Sequence, residues 1–165
     1  MNTSNAKLHY LKNVLGIKSL IVPEGYHPRA IENDSRVELA YQTFSGGNVL
    51  FLGKGVQKNF SIEEMQLLEK IIVALKLKFE KTDIANVKCL SKVVLVKELL
   101  QKSYSYVFLL GDDIHSLFRV GINSEFEENG IKFFSTFHPS QMIENPDLKK
   151  EAWAGFKSIM ESIPR

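Results

Sequence analysis

His138, Pro139 and Ser140 stand at the end of an apolar, β-branched and aromatic run, Ile131 to Phe137. The run predicts a strand with a histidine at the head of the loop that follows it. An imidazole so placed can stabilise negative charge where it develops on a departing group. The proline stiffens the loop. The serine hydroxyl and the loop amides can hold phosphates, which positions a nucleic acid without reading it. Four more residues bear useful chemistry near strand ends. Gly53 and Lys54 follow NVLFL, Phe60 precedes a long helical pattern, and Asn86 lies in the run from Ile84 to Leu90. Each also has a plain structural role open to it. Phe60 can stack on a planar ligand or act as a hydrophobic staple at a helix start. Asn86 can read a base edge or cap a turn. Lys54, in a Gly-flanked loop, is either a solvated cation or an amine able to form a Schiff base.

The elements that must position these residues follow from the pattern of apolar positions. Lys7 to Val14 reads as a short helix that stops at Gly16, and Ile17 to Val22 as an extended piece ended by Pro23. Strands are expected over Val37 to Phe44, Asn48 to Leu52, Ile84 to Leu90, Tyr106 to Leu110 and Ile131 to Phe137. The strongest helix is Ile62 to Leu77, with Ser61 as its cap, Glu64 three residues on, and Met65, Leu68, Ile72 and Leu75 as its stripe. Further helices are expected over Val93 to Gln101, after Gly111 through Phe118, and from Asn145-Pro146 onward. In the last, Asn145 caps, Pro146 takes the first turn, and Leu148, Ala152, Phe156 and Ile159 are buried. Glu125 to Gly130 reads as a polar, hairpin-like loop, and Asp112-Asp113 as a helix start, where negative charge is favoured. Strands and helices alternate, and two strands are apolar throughout. The fold class is therefore α/β, a central, mostly parallel sheet covered by helices on both faces. Ligands of such sheets sit beyond the carboxyl ends of the strands, where Gly53, Asn86, Gly111 and His138 would gather.

The chain has 165 residues, 44% of them hydrophobic and 24% charged, enough for one compact domain with an ordinary core. We divide it into residues 1–25, a helix and extended segment, and a single domain over 26–165. No apolar run approaches membrane-spanning length, and MNTSNAKLHY has no apolar signal region. Cys89 is the sole cysteine, which excludes an internal disulfide and a multi-cysteine metal or iron–sulfur site. His9 and His27 lack metal-ligand spacing. A cytoplasmic protein without cofactor or metal is expected, with no membrane partner. A net charge of +2 permits nucleic-acid binding without selecting it.

The stretch FHPSQMIENPDLKKEAWAGFK, Phe137 to Lys157, resembles the second active-site motif of the uracil-DNA glycosylase superfamily, especially its small bacterial and archaeal branches. There a His-Pro-Ser loop follows the last core strand, and an Asn-Pro, a basic pair and a Trp mark the closing helix. Upstream, VLFLG with Phe60 ahead of QLLEKIIVALKL, Asn86-Val87-Lys88-Cys89 and YVFLLG are similar, in order, to the branch that carries an iron–sulfur cluster. The resemblance covers roughly residues 48 to 160. It implies that fold, a histidine aimed at the leaving base, a stacking Phe60, and a base-reading Asn86. It also implies lost activity. Lys54 stands where the family has a carboxylate or amide that holds water against the sugar cation, and a lysine's charge opposes such a cation. The cluster cysteines are absent apart from Cys89, which alone cannot hold a cluster.

A second resemblance spans almost the whole chain. LKNVLGIKSLIVPEG has the short helix, Gly-Ile, extended apolar stretch and Pro of the psi subunit of the bacterial replicative DNA polymerase, read as a degenerate member of the same fold. VELAYQTF and NVLFLG match its two adjacent strands, and Asn145-Pro146 with Trp153 match its closing helix. The complete His-Pro-Ser is a departure from that family. This resemblance implies that the N-terminal segment docks on the clamp loader through Leu8, Leu11, Leu15, Ile17 and Leu20, and that the folded body holds a chi-like subunit. The same apolar residues could instead pack on the domain itself.

Three functions are thus in view. The first is a non-catalytic interaction protein on a glycosylase-like scaffold. The second is an active or altered DNA glycosylase that uses His138. The third is a relic that holds a flipped or damaged base without cutting it.

Overall fold

The computed structural model describes residues 37–54, 59–89 and 91–163. Backbone contacts divide the chain into Met1–Glu32 and Asn33–Arg165. The docking residues expected from the sequence, Leu8, Leu11, Leu15, Ile17 and Leu20, lie outside the described residues, as does the segment 1–25 as a whole.

Six strands are described: β1 (Glu38–Thr43), β2 (Val49–Lys54), β3 (Thr82–Lys88), β4 (Tyr106–Leu110), β5 (Glu125–Glu128) and β6 (Ile131–Thr136). They form one mixed sheet in the order β1-β3-β2-β4-β6-β5. The four central strands run parallel. The edge strands β1 and β5 run antiparallel to their neighbours. The helices are α1 (Ile62–Ala74), α2 (Lys92–Gln101), α3 (Asp112–Phe118), α4 (Pro139–Glu144) and α5 (Pro146–Ile159), with one 3-10 turn, Phe79–Lys81.

Side chains alternate across a strand, so a strand buried on both faces must be apolar throughout. In β2, Val49 and Phe51 join a cluster with Leu68 and Ile72 of α1 and Phe156 and Ile159 of α5. Leu50 and Leu52 join a second cluster with Leu95 and Leu99 of α2 and Ile114 and Phe118 of α3. The helices therefore cover both faces. Phe51 and Phe108, opposite each other in register, stack at 4.2 Å and 7°.

Caps set where the helices begin. The Glu64 amide donates to Ser61 Oγ at 3.2 Å, and the Ser61 amide donates to Glu64 Oε2 at 2.6 Å, a full capping box at the start of α1. The Asp147 amide donates to Asn145 Oδ1 at 3.1 Å, with Pro146 in the first position of α5.

Two local expectations need correction. Residues 125–130 are not simply a loop. Glu125–Glu128 pairs with β6, while Asn129 and Gly130, both with positive φ, make the turn. Phe126 packs on Phe118 and Phe133, and that burial outweighs the poor strand propensity of three glutamates. The His-Pro-Ser segment is not an open loop either. His138 caps α4, and Pro139 supplies its first residue.

At the amino ends of the parallel strands, the buried Asp83 carboxyl accepts from the Ser45 amide (2.6 Å), the Ser45 hydroxyl (2.7 Å) and the Tyr104 hydroxyl (2.7 Å). Tyr104 spends its only proton there, so Tyr41 donates to Tyr104 at 3.0 Å. Burial, with the Asp83 hydrogen bond next, raises the Tyr104 phenol well above its ordinary range. This network ties β1 and the turn before β2 to β3, at the end of the sheet remote from the residues singled out for chemistry.

Candidate functional site

Strand register brings the candidate residues together. Gly53 of β2 lies opposite Asn86 of β3 on one side and Leu110 of β4 on the other, and Leu110 lies opposite Thr136 of β6. These four positions form a row across the carboxyl ends of the parallel strands. Beyond it opens a cavity of about 460 Å³. Lys54, Phe60, Asn86, His138 and Ser140 all line it.

Two glycines allow this convergence. A Cβ on Gly53 would collide with Asn86 Oδ1 and would come within 2.9 Å of Phe60 Cζ. Gly111 has φ +90, and a Cβ there would lie 2.9 Å from the Cβ of His138. The turn from β4 into α3 and the turn from β6 into α4 thus approach each other more closely than any larger residue allows.

His138 is held from several sides. Its Nδ1 accepts the Ser140 amide at 3.3 Å and lies 2.8 Å from the Ser140 hydroxyl. An amide can only donate, so Nδ1 is the acceptor and the neutral ring carries its proton on Nε2. Ser140 therefore spends both its amide and its hydroxyl on the histidine. Gln141 closes a reciprocal cap, its Oε1 accepting from the His138 amide at 2.9 Å, and its Nε2 donating to Asp112 Oδ2 at 3.1 Å. The His138 ring stacks on Phe60, with centroids 5.4 Å apart and planes at 15°. Glu64 Oε1 lies 3.7 Å from His138 Nδ1. Burial holds the His138 pKa below the ordinary imidazole range, and the opposing pull of Glu64 and Asp113 does not restore it.

Phe60 is fixed through its backbone. Gln42 of β1 accepts from the Phe60 amide at 2.7 Å and donates to the Phe60 carbonyl at 3.0 Å. This pairing spans 18 residues of sequence, and no local pattern announces it. Three carboxylates in the cavity lining, Glu64, Asp112 and Asp113, also escape a sequence reading as site residues. Their local signal, a capping box and a helix start, is real, and it conceals the second position that each occupies. His115, by contrast, is turned into the fold, with Nε2 3.0 Å from the Leu109 carbonyl.

Asn86 is 7% exposed, and its Oδ1 has no hydrogen-bond partner. Among the described residues, no group of three or more His, Cys, Asp or Glu side chains is placed to hold a metal ion. No helix among them is long and apolar enough to cross a membrane. No protein-family model matches this chain, and no curated protein matches it.

Proposed function

We propose that this is a non-catalytic protein of DNA metabolism on a uracil-DNA-glycosylase-like scaffold, acting as a psi-like interaction subunit in the cytoplasm. The observation that carries the non-catalytic reading is the stacking of Phe60 on His138. A flipped base needs an aromatic face to lie on, and here Phe60 is 4% exposed and turned to the histidine. Lys54 in the cavity lining supports the same reading. Its positive charge would oppose the sugar cation that glycosidic cleavage generates, and it cannot act as a general base while protonated. The parallel central strands, with the Gly53, Asn86 and His138 segments at one edge, suit the glycosylase-like scaffold. Uracil-containing single- and double-stranded DNA incubated with the protein should acquire abasic sites only at background level. Robust excision that disappears in His138→Ala would overturn the reading.

The replisome part of the proposal rests on the resemblance of LKNVLGIKSLIVPEG and of the closing helix. The expected partners are a clamp-loader subunit, through residues 1–25, and a chi-like subunit on the folded body. A pull-down comparing the full chain with a folded version lacking residues 1–25 tests this. Equal retention of clamp-loader proteins by both, or by neither, counts against docking through that segment.

A specific observation favours a second reading, an altered glycosylase. The carboxylates of Glu64, Asp112 and Asp113 line the same cavity as His138. One of them could orient water in place of the group that Lys54 replaces.

A further inference from the structure

Asn129 and Gly130 make the whole connection between β5 and β6, because Glu128 and Ile131 on either side are paired in register. Both have positive φ, 53° and 81°, as a tight two-residue hairpin turn requires. Both are exposed, and a Cβ added to Gly130 would meet nothing within 4 Å. The Gly130 amide takes part in no turn hydrogen bond among the described residues. This is also the only Asn-Gly pair in the chain.

The residues that suit this turn also carry a chemical liability. The side-chain carbonyl carbon of an asparagine can close a five-membered ring with the amide nitrogen that follows it. A following glycine has no side chain to obstruct that closure. Asn123 shows what protection against it looks like in the same chain. It too has positive φ, 55°, and it precedes the small Ser124. Its Oδ1 is buried, its Nδ2 donates to the Glu151 carbonyl at 3.2 Å, and the Ser124 amide donates to Ser135 Oγ at 3.0 Å. Electrophile and nucleophile are both pinned there. The exposed turn at Asn129 has no counterpart to these contacts among the described residues.

We infer that Asn129 is a site of spontaneous deamidation, gated by local opening of the β5–β6 turn. The inference stands apart from the reading of the cavity. The Gly130 amide nitrogen gives its proton to solvent base and attacks Cγ of Asn129. The new C–N bond expels Nδ2 as ammonia and leaves a cyclic imide. Water then opens the imide. Cleavage of the Cγ–N bond yields aspartate, and cleavage of the main-chain bond yields isoaspartate. Ring closure fixes the Asn129 backbone outside the left-handed conformation, so the turn must open first. Both products add a negative charge beside Glu128, which already pairs with Lys92 at 2.7 Å. Isoaspartate also lengthens the main chain by one carbon, in a turn with no spare residue and next to the buried Ile131. The hairpin is thus a place where age alters the chain without an enzyme.

The test incubates the full-length protein at neutral and at mildly alkaline pH and maps its peptides by mass spectrometry over time. Exchange of the amide nitrogen for oxygen raises the fragment mass, and chromatography separates the two products. The folded chain should convert at Asn129, faster at the higher pH, while Asn123 stays intact. In guanidinium chloride both asparagines should convert, and Asn129 should do so faster than in the folded chain. Phe126→Leu loosens the packing of β5 on Phe118 and Phe133. It should speed conversion at Asn129 by about threefold to tenfold, as a moderate packing loss confined to the hairpin would. Lys92→Ala, which removes the ion pair to Glu128, should act in the same direction and more weakly. Asn123 reports in each variant whether the whole fold has been lost. No conversion at Asn129 in the folded chain, under conditions that convert the denatured one, would overturn the site. Equal conversion of Asn123 and Asn129 in the folded wild type would do the same. Equal rates at Asn129 in folded and denatured chain, or in wild type and both variants, would overturn the gating.

Discussion

Phe60 and His138 lie 78 residues apart in sequence, yet their rings stack with centroids 5.4 Å apart and planes 15° from parallel. The pair joins the segment before α1 to the cap of α4, and each member is secured separately. Gln42 holds the Phe60 backbone, and Ser140 holds the His138 ring. Whatever enters the cavity meets a prearranged aromatic pair.

Gln42→Ala removes both hydrogen bonds to the Phe60 backbone. It leaves a buried amide and carbonyl to find other partners. A loss of about 1–3 kcal/mol in unfolding free energy is expected. Urea denaturation followed through Trp153, the only tryptophan, measures it. An unchanged midpoint would show that water replaces the Gln42 contacts without cost.

Gly53→Ala places a methyl group against Asn86 Oδ1 and Phe60 Cζ. Overpacking at this row should cost about 1–3 kcal/mol. It should also shift the resonances of Asn86 and His138 more than those of the Asp83 network at the other end of the sheet. A neutral substitution with no local shift would mean that the row tolerates a side chain, contrary to the geometry.

The histidine gives a pH dependence with a definite sign. Burial depresses the folded-state pKa of His138 from its ordinary 6.5. Between the two values the unfolded chain binds more protons, so stability falls as pH drops through that window and is undiminished above it. His138→Asn keeps an acceptor for the Ser140 amide while removing the ionisation. The stability difference between wild type and this variant should therefore shift against wild type from about pH 7.5 to about pH 5.5, the range in which histidine titrates. A constant difference would show that His138 ionises as freely in the folded chain as in the unfolded one.

Much of the framework was legible because burial leaves a periodic trace. YVFLL and NVLFL read as strands buried on both faces, and the caps at Ser61 and Asn145 gave helix starts that the structure retains. Lys54, Phe60, Asn86, His138 and Ser140, each singled out by its place near a strand or helix end, all line one cavity. The misses have physical reasons. β5 is four residues long, and its one apolar side chain gives no period to read. The α4 helix has six residues and a histidine cap, an unusual choice beside Ser, Thr, Asp or Asn. The grip of Gln42 on Phe60, and the second positions of Glu64, Asp112 and Asp113, depend on contacts between distant segments. One sequence read locally cannot carry them.

The same short β5 has a consequence for how molecules meet one another. It closes one side of the sheet, and its residues are Glu125, Phe126, Glu127 and Glu128. Phe126 faces the core, while Glu125 and Glu127 are exposed. An open strand normally invites the strand of a neighbouring molecule to pair with it and extend the sheet. Here the approach of a second copy would bring glutamates against glutamates along a ladder only four residues long. The charge on the exposed Glu125 and Glu127 therefore opposes the pairing of a second copy along this edge.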